Sequence, residues 1–267
     1  MNTLVLSLSA LAALLPATML PFLRRATRAD SLFWLLLGAA LAGASVLSAV
    51  TLGAQWLTDL STTLWLAVAV SLALFGLVVL WQREAARLTP LLLPYLLVLG
   101  ALATGFGPLT QPEPLPGGAP DNWLVVHIAV SVVTYGLCTI AAVASAAVVL
   151  QESALKGRRP NSFTRMLPSV ADSERLEVRL LTASEVVLGL GIATGISELY
   201  VTSGEFFTFS HKTLFAVLAF LVIGILLLLH HRSGLRGRRV ARVVLVAYLL
   251  LTLAYPGVKF VSEVLLT

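Results

Sequence analysis

The chain has 267 residues and a formal net charge of +5; 58% of its residues are hydrophobic and only 12% are charged. A water-soluble domain carries roughly 25% charged residues, so this composition excludes a soluble globule and predicts an integral membrane protein. The basic residues lie in short clusters between apolar runs. That pattern orients a protein in the lipid bilayer and gives no support for a nucleic-acid partner.

Eight apolar runs are each long enough to cross the hydrocarbon core of a bilayer as a helix, which takes about 20 residues. They are Thr3–Leu23, Ser31–Leu52, Thr63–Trp81, Leu88–Leu109, Trp123–Leu150, Leu180–Val201, His211–His230 and Val240–Val261. A signal peptide carries basic residues before its apolar run. The first run has none, so we expect it to remain as a membrane span. The sequence therefore predicts an all-α, polytopic bundle of about eight transmembrane helices in a single membrane domain, residues 1–267.

The connections between these runs alternate in charge. Four alternate connections hold every basic residue except Lys212 and Lys259: Arg24, Arg25 and Arg28; Arg83 and Arg87; Lys156, Arg158, Arg159, Arg165, Arg175 and Arg179; and Arg232, Arg236, Arg238, Arg239 and Arg242. Basic connections stay on the cytoplasmic side of a membrane. We therefore predict a multi-pass protein of the bacterial inner membrane with both termini on the outer face.

Two connections are distinctive in length or composition. The inner loop, residues 152–179, is long, and its stretch Ser173–Glu177 is expected to begin an extension of the sixth membrane helix. The outer loop, residues 110–122, is so rich in proline and glycine that regular structure is excluded there.

The histidines are the strongest candidates for chemistry. His127 lies about one turn inside the fifth run and His211 opens the seventh, so both fall near the outer interface. Neutral imidazole is a common metal ligand, and two histidines on different helices can hold one haem iron from opposite sides. Ser131 and Tyr135 follow His127 at intervals of four and share its helix face. The alternative is that both histidines are ordinary interfacial side chains.

Other polar groups in or near the spans admit two interpretations each. Glu185 lies inside the sixth run, where an ionisable group suggests a function but also fits a simple ion pair or hydrogen bond. Lys212 and Lys259 at the outer face suit haem propionates or lipid phosphates, or else interfacial salt bridges. His230 and His231 at the inner end of the seventh run suit an interfacial cap.

The ordered set of motifs resembles a known family. These motifs begin with Trp123-Leu-Val-Val-His127-Ile-Ala-Val-Ser131-Val-Val-Thr-Tyr135 and continue with Leu167-Pro-Ser169, Glu174, Gly191/Thr194/Gly195, His211-Lys212, Gly234-Leu-Arg-Gly-Arg238 and Tyr255-Pro-Gly-Val-Lys259. Together they resemble the cytochrome c assembly membrane proteins, which include CcsA and CcmC, and within them the YpjD-like and HemX-like branch.

The resemblance implies a haem-handling protein. In such proteins two outer-face histidines flank a tryptophan-rich segment and ligate haem, and His127 and His211 take those places here. Ser131 and Tyr135 would shape the pocket, and Lys212 or Lys259 would meet the propionates of a b-type haem (haem b). The chain lacks the tryptophan-rich segment, so the resemblance extends to haem binding and not to haem delivery to apocytochrome c. His230 takes the place of an inner-side histidine in larger relatives.

Three functions remain open from the sequence. The first is a haem-binding membrane protein with no bond-making chemistry of its own, whose candidate partners are haem and another membrane protein. The second is a cofactor-free accessory or scaffold subunit of another membrane protein, in which both histidines are structural. The third is a small-solute or ion transporter that uses Glu185.

Overall fold

The structure is a computed structural model that describes residues 3–25, 27–54, 59–109, 122–158, 160–204, 210–234 and 236–265. Every element of regular secondary structure in these ranges is helical. The α-helices are α1 (Thr3–Arg24), α2 (Ser31–Ala54), α3 (Leu60–Trp81), α4 (Thr89–Phe106), α5 (Asn122–Lys156), α6 (Ser162–Met166), α7 (Val170–Ser203), α8 (His211–Ser233), α9 (Arg238–Thr252) and α10 (Val258–Phe260). Among the described residues, seven helical segments are long and apolar enough to cross a membrane.

The eighth predicted span is helical but is not one continuous α-helix. After α9 the chain passes through a π-helical turn, Leu253–Gly257, then α10, and then a second π-helical turn, Val261–Leu265. Pro256 lies inside the first of these turns. Proline has no N–H to donate, and its ring clashes with the carbonyl four residues earlier in a regular α-helix, so a wider turn accommodates it. The bundle therefore has about eight spans in the predicted order, the last of them interrupted.

Two helices are much longer than a membrane span requires. α5 has 35 residues and α7 has 34, which at 1.5 Å per residue is about 50 Å against a hydrocarbon core of about 30 Å. α7 begins at Val170, ten residues before the predicted span, so the expected extension of this helix into the inner loop is confirmed. The two helices pack along each other more extensively than any other pair of described elements.

The inner loop is held against the bundle by side chains from two neighbouring helical segments. Arg87 donates to the carbonyl oxygens of Arg165 at 2.9 Å and Met166 at 3.3 Å. Gln151 Nε2 donates to the carbonyl oxygens of Thr164 and Pro168, each at 2.9 Å. The bonds to Arg165 and Met166 satisfy carbonyl groups at the end of the short helix α6, and all four bonds dock the loop where α7 begins.

The membrane helices form two groups of four. In the first group α1 packs against α2 and α4, and α3 packs against α2 and α4. In the second group α5 packs against α7 and α9, and α8 packs against the same two helices. The two groups meet mainly where α3 packs against α5. Each group is thus a closed four-helix arrangement, a geometry in which sites are commonly built between facing helices.

A cluster of tyrosine hydroxyl groups also joins the two groups. The Tyr95 hydroxyl lies 2.5 Å from that of Tyr248, which donates to the Tyr135 hydroxyl at 3.1 Å. Thr139 Oγ1 lies 3.0 Å from the same Tyr248 hydroxyl. The cluster connects α4, α5 and α9 in the interior, where interhelical hydrogen bonds between polar side chains stabilise membrane bundles.

Thiol labelling should establish the orientation of the bundle. A cysteine in place of Arg83 or Arg236 should be protected from a membrane-impermeant thiol reagent in intact cells, because basic connections stay inside. A cysteine in place of Glu113 or Glu205, two positions outside the described residues, should be labelled. The native Cys138 is buried, so thiol labelling of the protein without an introduced cysteine should be low. Labelling at position 236 in intact cells would contradict the orientation with both termini outside.

Candidate functional site

His127 is the histidine with the most developed surroundings. It lies in the second turn of α5, half-buried against α7. Its Nδ1 atom is 3.1 Å from the Thr194 hydroxyl oxygen, and a Cβ atom added to Gly195 would come within 3.0 Å of its Cε1 atom. The Cε1 edge of the ring therefore approaches α7 at a position that has no side chain. One turn earlier, Trp123 Nε1 donates to the Thr194 carbonyl oxygen at 3.2 Å.

The hydrogen bonds around Thr194 favour one tautomer of His127. The Thr194 hydroxyl lies 3.0 Å from the Gly191 carbonyl oxygen, to which it can donate its single proton, and it then acts as an acceptor toward the imidazole. This arrangement favours a proton on Nδ1 of His127, which leaves the lone pair of a neutral ring on Nε2. A histidine that binds metal typically donates its other ring N–H to such a partner, which orients the ring and raises its basicity.

Glycines of α7 permit this close approach. A Cβ atom on Gly191 would meet Val130 Cγ1 of α5 at 3.4 Å, and one on Gly189 would meet Phe220 Cε2 of α8 at 3.3 Å. Gly195 alone of the three faces the His127 ring. Small residues at helix interfaces let membrane helices pack closely, and here one of them also makes room for an imidazole.

His211 is placed differently from His127. It is the first residue of α8, directly after the Ser210 cap, and it is exposed. α5 and α8 are diagonal partners in the second four-helix group, because each packs against α7 and α9 and the two have little contact with each other. The two histidines thus lie at the same end of the second group, on helices that are diagonal to each other.

The two lysines differ in their surroundings. Lys259 Nζ lies 3.7 Å from a carboxylate oxygen of Glu263, in an ion pair with spacing i,i+4. The other oxygen of Glu263 accepts from the Leu60 backbone N–H at 2.8 Å, which ties this pair to the start of α3. Lys212 is exposed. The salt-bridge interpretation therefore fits Lys259, and Lys212 is the lysine better placed to meet a ligand.

Ser131 and Tyr135 continue the His127 face of α5 to different depths. Ser131 is half-buried one turn below His127, whereas Tyr135 is buried and its hydroxyl belongs to the tyrosine cluster with Tyr248. Tyr135 is thus committed to an interhelical hydrogen bond further inside the bundle. Ser131 is the polar neighbour closer to His127 along the helix.

Glu185 faces a neighbouring helix, as the cost of exposing a carboxyl group to lipid predicts. One of its carboxyl oxygens would lie 2.8 Å from a Cβ atom at Gly224 of α8, so the missing side chain of that glycine makes room for the carboxyl group. The other oxygen is buried and has no hydrogen-bond partner among the described residues. Cys138 is a buried thiol in α5.

The remaining two histidines lie at the inner end of α8. His231 Nδ1 is 2.8 Å from the Leu227 carbonyl oxygen, an arrangement that suits an interfacial cap at a helix C-terminus. His230 lies against the first turns of α7 and lines an inner-side cavity. Both histidines therefore lie at the opposite end of the bundle from His127.

Sequence reasoning found His127 but missed the partner of its ring. Thr194 and Gly195 belong to one of the motifs described above. Their contact with His127 depends on the register in which α7 packs against α5, and a single sequence does not reveal that register. Across the part of the chain that the structure describes, no group of three or more His, Cys, Asp or Glu side chains is arranged to hold a metal ion. A two-histidine site needs no such group.

A family model described as cytochrome C assembly protein matches residues 61–266, from the start of α3 to the end of the last helical turn. The chain belongs to this family. Family membership supports a haem-handling, multi-pass membrane protein, and it confirms the resemblance drawn from the motifs.

Three relatives show how far the similarity extends. The chain is 52% identical to an "Uncharacterized 28.8 kDa protein in nifR3-like 5'region" of Azospirillum brasilense, over 99% of both chains. It is 28% identical to "Inner membrane protein YpjD" of Escherichia coli K12, over 67% of this chain and 65% of that one. It is 25% identical to "Cytochrome c biogenesis protein CcsA" of Chlamydomonas reinhardtii, over 65% of this chain. The match covers 48% of that longer protein, and no solved structure matches the chain.

Proposed function

We propose that this protein binds one b-type haem near the outer face of a bacterial inner membrane, with His127 and His211 as the two axial ligands. The observation that carries the proposal is the hydrogen bond from Nδ1 of His127 to Thr194, because it directs the free lone pair of the ring to Nε2. When bound, haem supplies an iron with two axial positions. We infer a binding protein without bond-making chemistry of its own.

The arrangement of helices is compatible with two ligands on opposite sides of one iron. Adjacent packed helices lie about 8–10 Å apart, so the diagonal pair α5 and α8 should be separated by roughly 11–14 Å. Two imidazole nitrogens on one metal lie about 4 Å apart, on typical metal–imidazole distances. In the proposed site the two histidine side chains would span the remaining distance. Sites of this kind are commonly built between facing helices of four-helix bundles.

The neighbouring residues have distinct roles in this proposal. Thr194 orients the His127 ring and Gly195 gives it space, while Ser131 borders the pocket below. Lys212 is exposed beside His211 and is the cation proposed to meet a propionate group. Lys259 is paired with Glu263, so its part in the pocket is to hold the outer end of the last span against α3. Tyr135 supports the pocket from the tyrosine cluster.

A haem titration of the purified full-length protein tests the second ligand. Replacing His211 with alanine should weaken haem binding by at least about tenfold and change the Soret band to that of a five-coordinate iron, because one axial nitrogen is lost. His231→Ala is the matched control, since it removes an exposed histidine from the other end of the same helix and should leave the titration unchanged. If His211→Ala binds haem with an unchanged spectrum, another side chain is the second ligand.

A failure of haem to bind at all would favour the accessory or scaffold function. In that case the contact between His127 and Thr194 would be a structural hydrogen bond that joins α5 to α7. The titration distinguishes the two functions, because a scaffold would give no saturable change in the haem spectrum with either the wild-type protein or the variants.

A further inference from the structure

A cavity of about 370 Å³ lies at the inner ends of α7 and α8, far from His127. It is lined by Ala171, Glu174, Arg175, Val178, Arg179, His230 and Arg236. The residues from α7 are spaced by three and four, so they form one face of the part of that helix that precedes the apolar span. The cavity therefore lies at the level where the apolar part of the bundle ends and the basic inner connections begin.

The cavity is basic in character. Three of its lining side chains are guanidinium groups and one is a carboxylate, that of Glu174. A neighbouring cavity of about 220 Å³ shares Arg175 and Arg179 but adds the carboxylates of Glu84 and Asp172, so its charges are balanced. Arg175 and Arg179 thus line both cavities, and Arg175 forms an ion pair with Asp172 at 4.0 Å, whereas Arg236 lines only the larger one.

The same face of α7 becomes apolar directly outside the cavity. Arg175 and Arg179 are followed at helical spacing by Ala183, Val186 and Leu190, all exposed. Val186 is 62% exposed and Leu190 is 55% exposed, as expected for side chains that meet acyl chains. A ligand bound at the arginines would therefore have an apolar surface beside it that runs toward the centre of the bilayer.

We propose that this cavity binds the phosphate of an anionic phospholipid headgroup from the inner leaflet, with the acyl chains against the exposed apolar face of α7. Guanidinium groups match phosphate oxygens in charge and in hydrogen-bond geometry, and basic pockets between helices on the cytoplasmic side of membrane proteins suit anionic headgroups. The apolar continuation distinguishes a lipid from a free anion, which would gain nothing from it.

The test is equilibrium binding of a fluorescent phosphatidylglycerol to the purified full-length protein in a neutral detergent. Changing Arg175, Arg179 and Arg236 together to glutamine should weaken binding by about tenfold or more, since each basic residue near the headgroup contributes on the order of 1 kcal/mol, and tenfold corresponds to about 1.4 kcal/mol. Fluorescent phosphatidylcholine should bind weakly to the wild-type protein and should be little affected by the changes.

A matched variant separates a specific site from the general charge of the inner face. Changing Arg232, Arg239 and Arg242 to glutamine removes the same charge from the same side but leaves the cavity lining intact, and it should change binding less than about twofold. An equal loss in both variants would overturn the proposal, as would equal binding of the two lipids. Inorganic phosphate that displaces the lipid as effectively as unlabelled phosphatidylglycerol would show that the site takes a free anion. An unchanged helical circular dichroism spectrum establishes that each variant is folded.

Discussion

Replacing His127 with alanine should remove the haem spectrum of the protein almost completely. In the proposed site the His127 ring is oriented by its hydrogen bond with Thr194, which favours a proton on Nδ1 and leaves Nε2 to bind iron. Loss of a hydrogen-bond partner behind a metal ligand typically costs about 10–100-fold in metal affinity, and loss of the ligand itself should cost at least the upper end of that range. The measurement is the absorbance at the Soret band per mole of purified protein.

The effect should not come from a failure of the protein to fold. His127 is half-buried at the outer end of α5, so its removal leaves the interior packing of α5 against α7 intact. The variant should reach the membrane in wild-type amounts and keep its helical circular dichroism spectrum. His230→Ala serves as the comparison, since this histidine lies in the last turns of α8 at the inner side, and it should keep the wild-type Soret absorbance. A normal Soret band in the His127→Ala protein would refute this ligand assignment.

A change at Gly195 should come close to the effect of losing the histidine itself. A Cβ atom at this position would lie 3.0 Å from Cε1 of the His127 ring, and the longer side chain of leucine would occupy the space where the ring rests. In Gly195→Leu we expect the ring to turn away from Thr194 and haem affinity to fall by about 10–100-fold, as for the loss of an orienting partner. Haem titration of the purified variant measures this fall.

Gly191 provides a matched control for that experiment. It lies on the same helix one turn away, and a Cβ atom there would make an ordinary contact of 3.4 Å with Val130. Gly191→Ala should therefore bind haem within about threefold of the wild-type protein, while any general disturbance of the α5–α7 interface would lower binding in both variants. Equal losses of haem affinity in Gly195→Leu and Gly191→Ala would show that Gly195 acts through the packing of α5 against α7 and not through the His127 ring.

The apolar runs predicted the fold well because each membrane span is a local feature. A helix in lipid must satisfy its backbone groups within itself, so length and composition alone located α1 to α5, α7 and α8. The interruption of the last span at Pro256 was not readable in this way, because Pro16, Pro21 and Pro94 lie inside α1 and α4, which remain continuous α-helices. The ion pair of Lys259 with Glu263 has the helical spacing i,i+4, which can be read from the sequence.

The candidate site depends on relations between helices, which the sequence leaves undetermined. The depth of His127 followed from its place in an apolar run, but the contact with Thr194 follows from the register in which α7 packs along α5. The diagonal placement of α5 and α8 depends on the packing order of the whole second group. For the same reason the docking of the inner loop by Arg87 and Gln151, two side chains from different elements, had no local signal.

The most direct test of the central claim is a reduced-minus-oxidised absorption spectrum of the purified wild-type protein, recorded before and after haem is added. The proposal predicts the sharp α-band and shifted Soret maximum of a six-coordinate b-type haem with two imidazole ligands. It also predicts saturation at one haem per chain. A protein that carries no haem as purified, and shows no saturable difference spectrum when haem is added, would contradict the proposal.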